Sequence, residues 1–306
     1  MDKNIVVIGS SNTDMIIKMS RIPKPGETVL GGEFSIAAGG KGANQAVSAA
    51  RAGGKVVFIA RVGEDMFGEQ AVKGFVQDGI DTENIVRDKN APSGVALIFV
   101  DKDGENSIAV ASGANANLSP ADIAASRNVI ASASIILMQL EIPIETVKAV
   151  IEIAREHEAK LILNPAPAQP LGDEILRHIS IITPNESEAE LLTGIKVMDE
   201  QGAERAADAL LAKGIQTVLI TLGARGVYVA DSDFKGIIPG FSVNAEDTTA
   251  AGDVFNGVLA VSLAENKSLI EAVRFSNAAA ALSVTKLGAQ TSAPYREDIE
   301  MFLKSF

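Results

Sequence analysis

The chain of 306 residues has no cysteine and no tryptophan, and only two tyrosines and two histidines. Without cysteine there is no disulfide framework, no thiol nucleophile and no zinc thiolate site, a composition that fits a reducing compartment. The two histidines, His157 in Arg155-Glu-His-Glu158 and His178 beside Arg177, read as solvated surface residues and supply neither a metal cluster nor a Ser-His-Asp arrangement. Lys and Arg number 27 against 39 Asp and Glu, for a net charge of −12. Nucleic acid and anionic membrane surfaces require a basic stripe, so neither is expected as a partner. No Walker A loop is present, because Gly40-Lys41 is followed by glycine rather than Ser or Thr and lacks the upstream glycine. Gly-x-Gly-x-x-Gly is missing too, which disfavours an oxidoreductase that binds a dinucleotide. The apolar run within Met1-Asp-Lys-Asn-Ile-Val-Val-Ile-Gly9 is too short for a signal segment and reads as a buried strand. No apolar stretch approaches the length needed to span a bilayer, and a cytoplasmic protein is expected.

What is there is a large apolar fraction, 47%, in short β-branched runs that alternate with amphipathic segments. Ile5–Ile8, Val56–Val62, Ile135–Leu140, Leu161–Leu163, Ile179–Ile182 and Thr217–Leu222 read as strands between helices. The alternation predicts an α/β fold with a central, mostly parallel sheet flanked by helices on both faces. Ser119-Pro-Ala-Asp122 has an N-cap serine with proline at the first helical position, and Pro143 opens another helix. Two segments break the rhythm. Ser93–Val100 and Glu105–Ala111 alternate around Asp103-Gly104, which reads as a two-residue hairpin turn, and Met15–Ser35 lacks helical periodicity. They are expected to meet in a small β-sheet lid that excludes water from a bound substrate; an ordinary antiparallel edge of the main sheet is the alternative. The expected division is 1–11, 39–87 and 113–306 for the α/β catalytic domain, with 12–38 and 88–112 forming a discontinuous lid.

Asp247-Thr-Thr-Ala-Ala-Gly-Asp253 runs straight into the apolar helix Val254–Val261 and suggests a site for phosphoryl transfer. Ala250, Ala251 and Gly252 have little or no side chain, so the unpaired N–H groups of the first helical turn can approach an anion, with Asp253 placed to take a proton from an attacking hydroxyl. The plainer alternative makes Asp247 or Thr248 an N-cap and Asp253 a first-turn carboxylate. Gly39-Gly-Lys-Gly-Ala-Asn-Gln45 precedes a helix over roughly 43–52, and its glycines permit close wrapping of a small polar ligand or simply a flexible turn. Asn12 and Asp14 follow the first strand and Glu141 ends another, where open α/β sheets place their ligands. Asp14 can accept two hydroxyl hydrogen bonds, and Asn12 and Asn44 can both donate and accept, a match for vicinal diols; each could instead be a turn or cap residue. Thr183-Pro-Asn-Glu-Ser-Glu188 enters a helix, with Ser187 and Glu190 as a candidate capping box.

These stretches together resemble the ribokinase family of carbohydrate kinases. Asp247–Asp253 looks like its C-terminal signature and Gly39–Gln45 its N-terminal glycine signature, about two hundred residues apart and in the family's order. Asn164-Pro-Ala-Pro-Ala168, Thr183–Glu188 and Thr221-Leu-Gly-Ala-Arg-Gly226 lie between them, and the similarity runs from Gly9-Ser-Ser-Asn-Thr-Asp14 to Gly288-Ala-Gln290. The resemblance implies a ribokinase-like fold and Asp253 as catalytic base. It makes Asn12, Asp14, Gly40, Lys41, Asn44, Glu141 and Asp253 the sugar-binding residues, and the amides of Ala250, Ala251, Gly252 and Asp253 an anion hole. ATP would be bound by Asn185, Thr221, Gly223, Gly226, Gly252 and Asn277. Mg²⁺ would be positioned by Asn185 and Glu188, largely through water because it dehydrates reluctantly. Asp247, Thr249, Ser283, Lys286, Gly288 and Ser292 would hold a monovalent cation, expected to be K⁺, and the lid would pair two subunits into a homodimer.

The expected activity is therefore ATP-dependent phosphorylation of D-ribose at O5. A related family kinase acting on deoxyribose, another sugar or a nucleoside is the nearest alternative, although an aromatic content of 4% gives little to stack a nucleobase. A sugar- or nucleotide-binding regulator without turnover is the alternative of a different class.

Overall fold

A computed structural model describes residues 4–157 and 159–306. Met1–Lys3, at the head of the expected first strand, and Glu158 lie outside the described residues. Thirteen strands are seen among the described residues: β1 Asn4–Ile8, β2 Asn12–Lys18, β3 Glu33–Gly39, β4 Lys55–Gly63, β5 Ile85–Asp88, β6 Gly94–Val100, β7 Asn106–Ala111, β8 Ile135–Met138, β9 Lys160–Leu163, β10 Ile181–Ile182, β11 Thr217–Thr221, β12 Val227–Ala230 and β13 Lys235–Ile238. Nine form one sheet in the order β13-β12-β11-β10-β9-β8-β1-β4-β5, and four form a second in the order β3-β2-β6-β7.

The main sheet is parallel from β5 to β11 and antiparallel where β12 and β13 close its far edge. Its strands are apolar on both faces because both faces are covered. In β1, Ile5 and Val7 pack into one core with the helices Lys41–Arg51, Ala251–Ala264 and Leu269–Ser283, while Val6 and Ile8 pack into the other with Ile144–Glu156 and Glu200–Leu211. Ile135 and Leu137 of β8 divide from Ile136 and Met138 in the same way. Three expected strands are shorter than their runs: β8 stops at Met138 before Gln139, β10 holds only Ile181 and Ile182, and β11 stops at Thr221.

The second sheet joins the segments expected to meet, with β2 antiparallel to β3 and parallel to β6, and β6 antiparallel to β7. The hairpin turn differs from expectation. Asp101 N donates to Glu105 O, so three residues, Lys102 to Gly104, form the loop, with Gly104 at φ 84° supplying the left-handed residue that such a turn needs. The capping box at Ser119 and Asp122 is present, and Pro143 is the N-cap of Ile144–Glu156. No helix among the described residues is long and apolar enough to cross a membrane.

Candidate active site

The helices Lys41–Arg51 and Ala251–Ala264 touch where Gly257 lies. A Cβ at Gly257 would stand 2.5 Å from Gln45 O and 2.8 Å from Ser48 Cβ. Glycine inside a helix costs about 0.5–1 kcal/mol relative to alanine, and here it permits an approach that no other residue allows. Asn44 and Gln45 consequently reach across: Asn44 Nδ2 donates to Asp253 Oδ2 and Gln45 Nε2 to Asp253 Oδ1, each at 2.9 Å. Asp253 is buried, the residue being 5% exposed. Burial raises its pKa, opposed by the Lys41 charge and the two amide donors.

Asp253 stands in the first turn of Ala251–Ala264, and the start of that helix is unusual. Its N-cap is Ala250 in the left-handed region, φ 60° and ψ 11°, with no side-chain cap. Neither Asp247 nor Thr248 caps it: Asp247 instead accepts from Thr249 N at 2.9 Å and Gly288 N at 2.8 Å. Ala251 N donates to Thr248 O at 3.3 Å, whereas the N–H groups of Gly252 and Asp253 meet no acceptor among the described residues. A Cβ on Gly252 would have nothing within 4 Å. That open space belongs to a cleft of about 420 Å³. All six residues expected to contact a nucleotide, Asn185, Thr221, Gly223, Gly226, Gly252 and Asn277, line it, joined by Phe241 and Val243. Asn277 Nδ2 is shared between Ile238 O and Pro239 O at 3.3 and 3.2 Å, which holds one wall.

The helix Glu186–Thr193 begins beside this cleft. Its capping box is Asn185 with Glu188, not Ser187 with Glu190: Asn185 Oδ1 accepts from Glu188 N at 2.8 Å, and Glu188 Oε2 from Asn185 N at 2.9 Å. Burial raises the Glu188 pKa against the pull of its Asn185 hydrogen bond and Lys41. Glu188 Oε1 accepts no protein hydrogen bond among the described residues. Nor does any group of three or more His, Cys, Asp or Glu side chains among them form a metal cluster.

On the other side of Asp253 lie two further carboxylates, Glu141 and Asp14, and the Lys41 amine. Glu141 Oε2 accepts from Ser10 Oγ at 2.5 Å and Lys41 N at 3.0 Å. Asp14, on β2, lies against Gly39, where a Cβ would come within 2.4 Å of all three carboxyl atoms. Its pKa is raised to about 6 by burial and by the charges of Glu141 and Asp253. Burial opposes the charge on Lys41, but Asp253, Glu141 and Glu188 together raise its pKa. Asn12 is less free: its Oδ1 accepts from Asn115 Nδ2 at 2.7 Å, and Asn115 also ties Ser11 N through a 2.9 Å hydrogen bond. Asn44 Oδ1 is buried with no partner. A buried carbonyl without a donor costs about 1–3 kcal/mol, so it is suited to a ligand hydroxyl.

The residues expected around a monovalent cation come from two segments that are stitched together. Glu246 N and Asp247 N both donate to Val284 O, at 2.7 and 3.1 Å, and Gly288 N reaches Asp247. Ser283 O accepts from Lys286 N, and the Ser283 and Ser292 hydroxyls turn back to Ala280 O and Ala289 O. The carbonyls of Asp247, Lys286 and Gly288 accept no hydrogen bond from the described residues.

A model of the pfkB family carbohydrate kinases matches residues 2–296. The chain belongs to this family. The carbohydrate kinase is 51% identical to the ribokinase of Haemophilus influenzae over 99% of each chain. Among solved structures it resembles a ribokinase from Thermotoga maritima, at TM-score 0.90 and 42% identity over 98% of this chain and 99% of that one. It also resembles an Arabidopsis thaliana ribokinase complexed with ribose and ATP, at TM-score 0.91 and 32% identity over 99% of both. Sequence reasoning about this kinase missed Ser10, Gln45, Asn115, Gln139 and Asn164. Ser10, Gln45 and Asn164 lay inside quoted motif stretches without being given a role, Gln139 was read as part of a strand, and Asn115, in the 3-10 turn Gly113–Asn117, had no sequence signal.

Proposed function

We propose that this carbohydrate kinase transfers the γ-phosphoryl group of ATP to the primary 5-hydroxyl of D-ribose, giving ribose 5-phosphate and ADP. The observation that carries the reading is one buried carboxylate, Asp253, beside two unengaged helix N–H groups, with a cleft on one side and a diol-matched set of carboxylates and amides on the other. Asp253 takes the hydroxyl proton as O5 attacks the γ-phosphorus in line. The O5–P bond forms, the bond from phosphorus to the β,γ-bridging oxygen breaks, and its electron pair leaves on ADP. The amides of Ala250, Ala251, Gly252 and Asp253 line the anion hole, with those of Ala250, Gly252 and Asp253 still free to donate to the developing charge. Asn12, Asp14, Gly40, Lys41, Asn44 and Glu141 hold the sugar, the unpartnered Asn44 Oδ1 accepting from one of its hydroxyls.

Asn185 and the free Oε1 of Glu188 fit a hydrated Mg²⁺, which when bound would screen the β- and γ-phosphate charge. The carbonyls of Asp247, Lys286 and Gly288, with Thr249, Ser283 and Ser292 nearby, fit a K⁺ that would stiffen the turn before Ala250. The division at 12–38 and 88–112 is read as a lid on a cytoplasmic enzyme. Phe34, Ile36, Leu97, Ile108 and Val110, each more than 45% exposed, leave both faces of that sheet apolar, which supports pairing of two lids in a homodimer.

Turnover tests the chemistry. ADP release with added ribose is expected, exceeding that with deoxyribose, hexoses or nucleosides, and Asp253→Asn is expected to lower kcat roughly 10²–10⁴-fold with ribose and ATP binding retained. Near-normal kcat in Asp253→Asn removes it from the base role. Sedimentation equilibrium tests the assembly: twice the chain mass of 31.9 kDa is expected, reduced to one by Ile108→Glu with Val110→Glu. A monomeric parent protein rejects lid pairing.

A further inference from the structure

We propose that Gln45 is a positioning residue that fixes the Asp253 carboxylate to the carboxyl ends of the main-sheet strands. The inference rests on the reading of Asp253 as the base. Gln45 is fully buried, with both amide hydrogens and the carbonyl oxygen engaged. Nε2 donates to Asp253 Oδ1 at 2.9 Å and to Asn164 Oδ1 at 3.1 Å, and Oε1 accepts from Gln139 Nε2 at 2.5 Å. Gln139 directly follows β8 and Asn164 directly follows β9, and Asn164 Nδ2 continues to Thr183 O at 3.1 Å, just beyond β10. One amide thus connects the reacting carboxylate to the ends of three adjacent strands.

The direction of this chain is dictated by Asp253. An ionised carboxylate only accepts, so Gln45 must present its NH₂, which leaves Oε1 to accept and obliges Gln139 to donate. The amide dipoles then point their positive ends at the carboxylate, and each strengthens the next. A merely space-filling role does not account for this. Burying an amide between two helices is unfavourable unless every group is paired, and a methionine or leucine would fill the same contact without that requirement. With Asn44 holding Oδ2, Gln45 completes a two-point restraint on the plane of the carboxylate. Hydrogen bonds to the ionised form also offset the burial that favours its protonation.

The test compares pH–rate profiles of the intact enzyme with ribose and ATP for the parent, Gln45→Met, Gln139→Leu and Asp253→Asn, with thermal unfolding measured on each. Gln45→Met is expected to move the acid limb of kcat upward by about one pH unit, the size of one lost charge-assisted hydrogen bond, and to lower kcat at neutral pH about tenfold while KM for ribose changes less than about twofold. Gln139→Leu leaves Gln45 in place but unoriented, and is expected to move the limb the same way by less. A parental acid limb in folded Gln45→Met, or in folded Gln139→Leu if the first variant does not fold, overturns the proposal even if melting temperature falls. If Asp253→Asn is inactive while the glutamine variants keep the parental limb, only the positioning role fails; if Asp253→Asn turns over normally, the base reading fails with it.

Discussion

On the acceptor side of Asp253 the candidate contacts are side chains, Asp14, Glu141, Lys41 and Asn44, of which Glu141 is held by Ser10 and Asn44 by Asp253 itself. The nucleotide side is instead walled largely by backbone, by glycines 223, 226, 240 and 252, and by Phe241, Val243 and Val284. The difference follows from the ligands. A pentose offers hydroxyls whose positions must be read one by one, which demands directed donors and acceptors. A triphosphate offers diffuse charge that main-chain N–H groups at a helix start can meet without side-chain help. Truncating side chains therefore damages one side, whereas adding atoms damages the other.

Among variants that test this contrast, leaving Asp253 itself aside, the largest expected effect comes from adding atoms. Gly252→Val places a branched side chain in the open space beside the free amides, and kcat/KM for ATP is expected to fall roughly 10²-fold or more with KM for ribose little changed and thermal stability retained. A near-parental kcat/KM would break the comparison, because phosphates would then not approach this turn. Next comes removal of a side-chain charge. Asp14→Asn is expected to raise KM for ribose roughly 10- to 100-fold, the range for a hydrogen bond to a charged group.

The same variant has a stability signature. Asp14 titrates near its ordinary carboxylate value when unfolded and at about 6 when folded. Its contribution is full below the unfolded value and is lost as pH rises through about 6, since the folded protein must then ionise a buried acid. Unfolding measured from pH 4 to pH 7 without ligands is expected to show Asp14→Asn gaining about 1–2 kcal/mol on the parent across that window, an upper range because Asp14 is not wholly buried. Parallel curves would mean that Asp14 ionises freely. The smallest effect sharpens the comparison from the nucleotide side: Thr221→Ala removes a hydroxyl with only a marginal 3.5 Å contact to Pro184 O, and kcat/KM for ATP is expected to change less than about threefold.

Much of this was legible in the chain. The β-branched runs named the main strands, and the motifs at 39–45 and 247–253 marked the two helix starts that flank Asp253, because glycine and alanine at a helix entrance carry local information. The interactions among side chains were not legible. Gln45 and Asp253 are 208 residues apart, and their contact depends on how closely two helices pack. Gly257 was the available clue, since an unfavourable glycine inside an apolar helix implies that something lies against it. Nothing local announced the Ala250 cap. A left-handed alanine is unfavourable by roughly 1–2 kcal/mol and persists only where its surroundings hold it, here through the Asp247 links to Thr249 and Gly288.

On the proposed reading, the acceptor pocket borrows part of its walls from the smaller sheet. Asp14 and Gly39 belong to β2 and β3, while Lys41, Glu141 and Asp253 belong to the larger body. Swinging those strands away would do more than unbar a doorway: it would dismantle the receptor for the pentose. If Asp253 is the base and Asp14 reads the sugar, as proposed, a nucleotide that arrived first would face solvent without Asp14 opposite that carboxylate, and guarding ATP from wasteful hydrolysis and recognising the sugar would become a single act of assembly.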